Sequence, residues 1–461
     1  MHFKQFYVGC LAHASYLIGD GGEAVVVDPS RDIDMYLQEA EAHGLVIRWV
    51  LETHLHADFV SGHREIAERT GATIAIGARA EAAFPHRALV EGDEIRIGDV
   101  LIRALETPGH TPESLSFLVF EHATDEKPYA VLTGDTLFVG DVGRVDILSS
   151  RLPVTELAGM LYDSLHRKLL ALPDDTRVYP AHGAGSLCGR SMSKDTWSTI
   201  GREREMNVAL RPMTREEFIA DVTRDVPETP VYFLHSRDMN KEGPSLDRER
   251  PLPPRLAPVD VADRIQNGAV LLDVRPAAVF AELHPSGALH VGLDGQYASW
   301  VGTLVRPDQD IVLLAEPMRE EEAVMRLARV GYERVVGFLD GGVEAWRKAG
   351  LATASLERVP VTSLATLKPG ARVLDVRRES EWRGGHLPGA THIPLHKLGE
   401  HLSQLPRETE WTTLCAGGYR ASIAASVLQA AGFPNVTAAS EGVDAWKKAG
   451  LPVESEKATA T

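Results

Sequence analysis

Cysteine is scarce in this chain: three residues, at positions 10, 188 and 415, among 461. So few and so far apart, they exclude a disulfide scaffold and point to a reducing compartment. Long apolar runs are missing as well. None approaches the ~18 residues of a membrane span. The start, Met1-His2-Phe3-Lys4-Gln5, lacks the basic stretch and apolar segment of a secretory leader. The cytoplasm is therefore the expected location, with no membrane partner. Positive charge is in deficit, with 48 basic against 65 acidic residues and a net charge of -17. Binding a nucleic-acid backbone needs a positive face, so nucleic acid is not an expected partner, although a local basic patch can still recruit a small anion. What is present is apolar residue enough for packed cores, 44% of the chain, and a length that calls for roughly two to four domains.

The second half repeats itself. Leu271-Leu272-Asp273-Val274-Arg275 pairs with Val373-Leu374-Asp375-Val376-Arg377, and Ser286-Gly287-Ala288-Leu289-His290-Val291 with Pro388-Gly389-Ala390-Thr391-His392-Ile393. Gly342-Val343-Glu344-Ala345-Trp346 pairs with Gly442-Val443-Asp444-Ala445-Trp446. Three ordered matches at a nearly constant offset imply two copies of one domain, 258–352 and 358–456. In each, apolar strands alternate with helical segments, which predicts a parallel α/β domain. A proline-rich stretch, 244–257, reads as the linker before them. Residues 1–243 read as one larger α/β domain. Its strands are expected around 24–28, 48–53, 101–105, 115–119 and 129–133, with helices at 35–43 and 62–70.

Metal-type side chains follow those strands. The run Thr53-His54-Leu55-His56-Ala57-Asp58-Phe59 brings two imidazoles and a carboxylate into one loop. His110 lies in a Pro-Gly-His-Thr turn, Asp135 follows the strand at 129–133, and His182 sits in Tyr-Pro-Ala-His-Gly. Loops at strand ends are where α/β scaffolds place their sites, and ligand types on several such loops point to a metal. Far along the chain, Cys415-Ala416-Gly417-Gly418-Tyr419-Arg420 forms a glycine-rich loop between a strand and a helix expected from 421 to 430. Gly417 and Gly418 let backbone amides converge on the sulfur, and the helix start and Arg420 add positive charge, which suits an anionic persulfide or an oxyanion. In the first copy Ala315 aligns with Cys415 and Glu320 with Arg420, and both loop glycines are absent. Alanine cannot carry sulfur, so that copy is expected to be inactive.

The order His-x-His-x-Asp, His110, Asp135, His182 resembles the metallo-β-lactamase fold, which implies an αββα sandwich over residues 1 to about 240. Within it, a binuclear member resembling glyoxalase II would have histidine where this chain has Phe59, and phenylalanine offers no lone pair. The closer resemblance is to the persulfide dioxygenase branch. Carried over by position, it implies His54, His110 and Asp135 as ligands of one Fe(II) per chain. Two imidazoles and a carboxylate are the facial arrangement of non-heme Fe(II) oxygenases. His56, Asp58 and His182 are then nearby residues that orient ligands, or alternative ligands. Spacing does not choose between His54 and His56; the resemblance chooses His54. Arg144, nine residues beyond Asp135, is implied at the thiol substrate; a structural ion pair with Asp146 is the plain alternative. Cys188 would border the same pocket.

The last domain resembles rhodanese, on Asp375-Val376-Arg377, Glu381, Gly385-His386-Leu387-Pro388-Gly389-Ala390 and the Cys415–Arg420 loop. The resemblance implies Cys415 as sulfur carrier, Arg420 and the amides of Gly417 and Gly418 as its anion clamp, and Arg377 and Glu381 as supports. The expected function is oxidation of a small thiol persulfide by dioxygen to sulfite, joined to sulfane-sulfur transfer that forms or uses thiosulfate. Two readings compete. One is a zinc-dependent thioester hydrolase resembling glyoxalase II. The other is a non-enzymatic sulfur-binding or docking protein. The sequence leaves open which thiol carries the persulfide, the direction of transfer and whether the chain forms a homo-oligomer.

Overall fold

A computed structural model of the chain describes residues 1–149, 151–224, 229–246 and 249–455. They fall into two compact units, Met1–Pro251 with Ala328–Gly331, and Leu252–Leu327 with Tyr332–Thr461. Residues 247 and 248 of the expected linker, and residue 456 at the expected end of the last domain, lie outside the described residues.

The first unit is built from two six-stranded sheets. One runs β1 (His2–Val8), β2 (His13–Asp20), β3 (Glu23–Val27), β4 (Val46–Leu51), β5 (Thr73–Gly77), β6 (Arg87–Leu89). It is antiparallel through β1–β3 and parallel from β3 to β6. The other contains β7 (Glu94–Ile97), β8 (Val100–Glu106), β9 (Leu115–Phe120), β10 (Ala130–Gly134), β11 (Arg177–Pro180) and β12 (Ser198–Thr199), each beside the next. Alternation along the strands decides how these sheets pack. Val25 and Val27 face Ile102, Phe117, Val119 and Leu132 in the core between the sheets. Ala24 and Val26, one residue out of phase, face Tyr36 and Ile66 of the helices Asp34–Ala42 and His63–Thr70. A strand buried on both faces reads as a continuous apolar run, which is why Ala24-Val25-Val26-Val27 is legible as one. The result is the expected αββα sandwich.

The second unit repeats one sheet twice. In the first copy the order is Arg255–Leu256, Val335–Leu339, Ile311–Leu314, Val270–Asp273, Leu289–His290, with every pairing parallel. In the second it is Glu357–Val359, Val436–Ala439, Trp411–Leu414, Arg372–Asp375, Thr391–His392, again all parallel. The same order in both is the structural form of the duplication. The first edge strand begins within the stretch expected as linker. Arg255 and Leu256 already pair with Phe338 and Leu339, because only the prolines up to Pro254 resist regular pairing. Among the described residues, no helix is long and apolar enough to cross a membrane.

Candidate metal centre and thiolate loop

Three strand ends bring together atoms that could hold a metal, and hydrogen bonding fixes which atoms these are. Thr53 Oγ1 donates its one hydrogen to Asp28 Oδ2 at 2.8 Å. The 2.9 Å contact between Thr53 Oγ1 and His54 Nδ1 must then be donated by the imidazole. His54 Nε2 therefore keeps its lone pair. His110 Nδ1 lies 2.8 Å from the carbonyl oxygen of Arg144, which can only accept, so His110 Nε2 is bare too. Asp135 Oδ1 accepts from His182 Nδ1 at 2.7 Å, leaving Oδ2. That oxygen lies 3.5 Å from His110 Nε2 and 3.9 Å from His54 Nε2. The ligand atoms of the three residues all lie within 4.8 Å of one another. His54 Nε2 and Asp135 Oδ2 are buried without a hydrogen-bond partner. Such atoms are costly in a protein interior unless something charged sits among them. The residues fit a divalent metal.

The other candidates point elsewhere. His56 Nε2 faces Asp28 Oδ1 at 3.1 Å and Glu52 Oε2 at 3.4 Å. His182 is held at both nitrogens by carboxylates, Asp135 on Nδ1 and Asp58 Oδ2 on Nε2 at 2.8 Å. Asp58, His182 and Cys188 also form a second group with ligand atoms within 4.8 Å. Phe59 is 0% exposed, its ring 4.0 Å from that of His13 and 4.4 Å from that of His56 between centroids. It packs the loop where a histidine would have offered a nitrogen.

Electrostatics suits this arrangement to a cation. Burial, reinforced by His56, holds His54 well below the usual histidine range, so its imidazole stays neutral. Burial alone would raise Asp135, but His182, His110 and His54 outweigh it and hold the carboxylate well below its usual range. His182 goes the other way: Asp135 and Asp58 overcome burial and push it well above its ordinary value. Burial pushes the Cys188 thiol well up, with Asp58 and Asp135 adding to it, so in the metal-free chain this sulfur is a neutral thiol. Arg144 donates to both carboxylate oxygens of Asp146, at 2.7 and 2.6 Å, and to Leu187 O. Its carbonyl orients His110, and its amide donates to Cys188 O at 3.0 Å.

Several supports were not read from the sequence. Asp28 accepts from both Thr53 N and Thr53 Oγ1. Asn240 Nδ2 donates to His56 O and Phe59 O at 2.8 Å each, and its Oδ1 accepts from Ser61 N. Burial, with His182 and His56 adding, holds His13 down to about 3; it lies between those rings and Asp28 O. Asp28 carried a signal, as the polar residue ending an apolar strand before Pro29. Asn240 carried none, being 184 residues from His56.

Asp28→Asn should lower metal affinity by about 10–100-fold, the usual effect of removing a group that orients a ligand. The amide oxygen must face Thr53 N–H, so its NH₂ faces Thr53 Oγ1. The hydroxyl then turns its hydrogen to His54 Nδ1, and the imidazole proton moves to Nε2, over the lone pair. Asn also suits the φ of +50° at this position. Competition against a chromophoric chelator measures the change; an unchanged affinity would remove Asp28 from this role.

The Cys415 loop stands at the end of the strand Trp411–Leu414. Gly418 N donates to Cys415 Sγ at 3.1 Å. Its φ is +91°, and a Cβ there would meet Ser440 O at 2.6 Å, so glycine is required. The following helix, Tyr419–Ala430, begins two residues earlier than expected, inside the loop. Arg420 thus lies in its first turn and donates twice to Glu381, at 2.7 Å each. Glu381 and then Cys415 raise Arg420 against the lowering effect of burial. Arg377 spans Asp375, Glu381 O and Gly385 O. Gly417 is exposed at the loop tip. In the first copy, Met318 occupies the position of Gly418 with φ +67° and is 95% exposed. Glu320 accepts from Arg255 at 2.7 Å. The loop kept its backbone turn and lost the sulfur.

Comparison with known proteins agrees with both halves. The metallo-beta-lactamase superfamily model matches residues 8–182, and the rhodanese-like domain model matches 257–349 and 362–449. The chain is 30% identical over 219 residues to the mitochondrial persulfide dioxygenase ETHE1 of Homo sapiens, covering 47% of this chain and 78% of that protein. It is 38% identical over 164 residues to a hydroxyacylglutathione hydrolase of Rhodospirillum rubrum, covering 35% and 57%. A solved metallo-beta-lactamase structure from Staphylococcus aureus matches with TM-score 0.65 and 31% identity over 73% of this chain and 98% of that one. The chain belongs to the metallo-beta-lactamase superfamily, as a catalytic domain built for metal-dependent chemistry and fused to two rhodanese-like domains, with ligand clusters resembling those of persulfide dioxygenases.

Proposed function

We propose that the chain oxidises a low-molecular-weight thiol persulfide to sulfite with dioxygen, and that Cys415 moves sulfane sulfur to or from thiosulfate. The observation that carries the first half is a face of two imidazole nitrogens and one carboxylate oxygen, with His56 Nε2 turned to Asp28 and Glu52 and His182 set between Asp58 and Asp135. Three protein atoms on one side leave room for substrates on the other. Ferrous iron bound there would supply the electrons for oxygen activation and a position for the persulfide sulfur. The chain's own part is to hold neutral imidazoles and an ionised carboxylate ready, and to exclude bulk water from a buried site. Per persulfide, one dioxygen and one water are consumed; the outer sulfur leaves as sulfite, the inner as thiol.

In the second half, the Cys415 thiolate takes the outer sulfur of thiosulfate and releases sulfite, or its persulfide gives that sulfur back to sulfite. The Gly418 amide supports sulfur in either form. A hydrolase reading is supported by the likeness to a hydroxyacylglutathione hydrolase and by the second group Asp58, His182 and Cys188, which would suit zinc beside the first site. Metal analysis of protein purified without added metal separates the two. About one iron per chain supports the dioxygenase; two zincs with thioester hydrolysis reverse the assignment. Anaerobically Fe(II)-loaded protein given glutathione persulfide should consume oxygen and release sulfite. Absence of both overturns the proposal.

A further inference from the structure

We propose that the inactive rhodanese copy is a platform that positions the Cys415 loop, with Tyr419 as the residue through which it acts. The role in sulfur transfer rests on the reading of Cys415 above; the brace itself does not.

Tyr419 is the first residue of the helix whose preceding amide, Gly418 N, donates to Cys415 Sγ. Its hydroxyl leaves its own copy and donates to Gly292 O in the other at 2.7 Å. Burial raises the phenol, which keeps it a donor. The ring lies against Gly295, where a Cβ would meet ring carbons at 2.4 Å. One turn and two turns further along the helix, the same surface is tied again. His290 Nε2 is 2.9 Å from Arg275 O and must donate to it, so His290 Nδ1 accepts from Ser422 Oγ at 3.0 Å. His290 N donates to Ser426 Oγ at 2.9 Å, and Ser426 Oγ donates to Ile423 O. The side chains of Tyr419, Ser422, Ser426 and His290 are thus all hydrogen-bonded.

The duplication shows how the platform arose. At an offset of 100, Arg319 stands where Tyr419 stands, and Arg326 where Ser426 stands. Neither arginine reaches outward. Arg326 donates to Leu293 O and Gly295 O, and Arg319 pairs with Asp294 at 2.9 Å. Both hold the 292–295 segment that receives Tyr419. Positions that reach across in one copy hold the seat for the other copy's helix here.

The test uses the full chain and the variants Tyr419→Phe and Gly295→Ala. Tyr419→Phe deletes one hydroxyl and keeps the ring; Gly295→Ala forces the ring off its seat. Three readouts are taken: hydrogen exchange of the amides of residues 416–419, the rate of Cys415 persulfide formation from thiosulfate, and the fraction of Cys415 loaded at saturation. Exchange should quicken in both variants. The loading rate should fall about five- to tenfold for Tyr419→Phe, as expected for one lost buried hydrogen bond. The thiosulfate KM should stay near its original value and the loaded fraction near one sulfur per chain. A loss of folding would lower the loaded fraction instead, and Tyr419→Phe then decides alone. The double variant should be less affected than the product of the single effects. Unchanged exchange and loading rate in both variants would overturn the brace. If the unaltered chain takes no sulfur from thiosulfate, the transfer reading fails, and the exchange data still judge the brace.

Discussion

His110→Ala should retain less than a tenth of the metal and lose oxygen consumption by more than about 100-fold, beyond the range seen when only an orienting partner is removed. The change deletes one of three candidate ligand atoms, one of the two nitrogens, and leaves Arg144 O without its donor. It also removes one of the neighbours that hold the Asp135 carboxyl below its usual range. Nothing available nearby replaces it: His56 faces two carboxylates, and Phe59 has no lone pair. Sulfur transfer from thiosulfate should be unaffected, because Cys415 stands in a separate compact unit. Metal content by mass spectrometry and an oxygen electrode check the two parts. Normal metal with full oxygen uptake would refute the ligand assignment.

Cys415→Ser should abolish transfer between thiosulfate and an acceptor, a loss on the order of 10³-fold or more, as for removal of a catalytic nucleophile. Serine fits the space and can still accept from Gly418 N, so the loop should keep its shape. The hydroxyl stays protonated near neutral pH and forms no persulfide. Supplied thiol persulfide should still be oxidised at the untouched metal centre. Full transfer activity in this variant would move the sulfur carrier elsewhere. Cys188 is a poor substitute, since burial and two carboxylates keep its thiol protonated.

Much of the fold was legible because its strands are buried on both faces and read as plain apolar runs. Val25 to Val27 and Leu115 to Phe120 needed no partner to be recognised. The duplication was legible for another reason: the same five-strand order recurs because the same short motifs recur. The edge strand Arg255–Leu256 was missed. Two residues beside four prolines carry no period, and only pairing with Val335–Leu339 makes them a strand.

For the site, the sequence by itself determined the chemical inventory: imidazoles and carboxylates at strand ends, one cysteine before two glycines, and a copy of that loop without its sulfur. These are matters of residue type and local spacing, which a linear chain states openly. Only the tertiary structure decided which groups face one another and which atom of each is left free. His54 and His56 are equivalent by spacing. They part company because Thr53, Asp28 and Glu52 fix one ring's proton and capture the other ring. Asn240, Arg144 O and Gly292 act across long stretches of chain. A hydrogen bond depends on direction and distance in space, and no separation along the sequence encodes those.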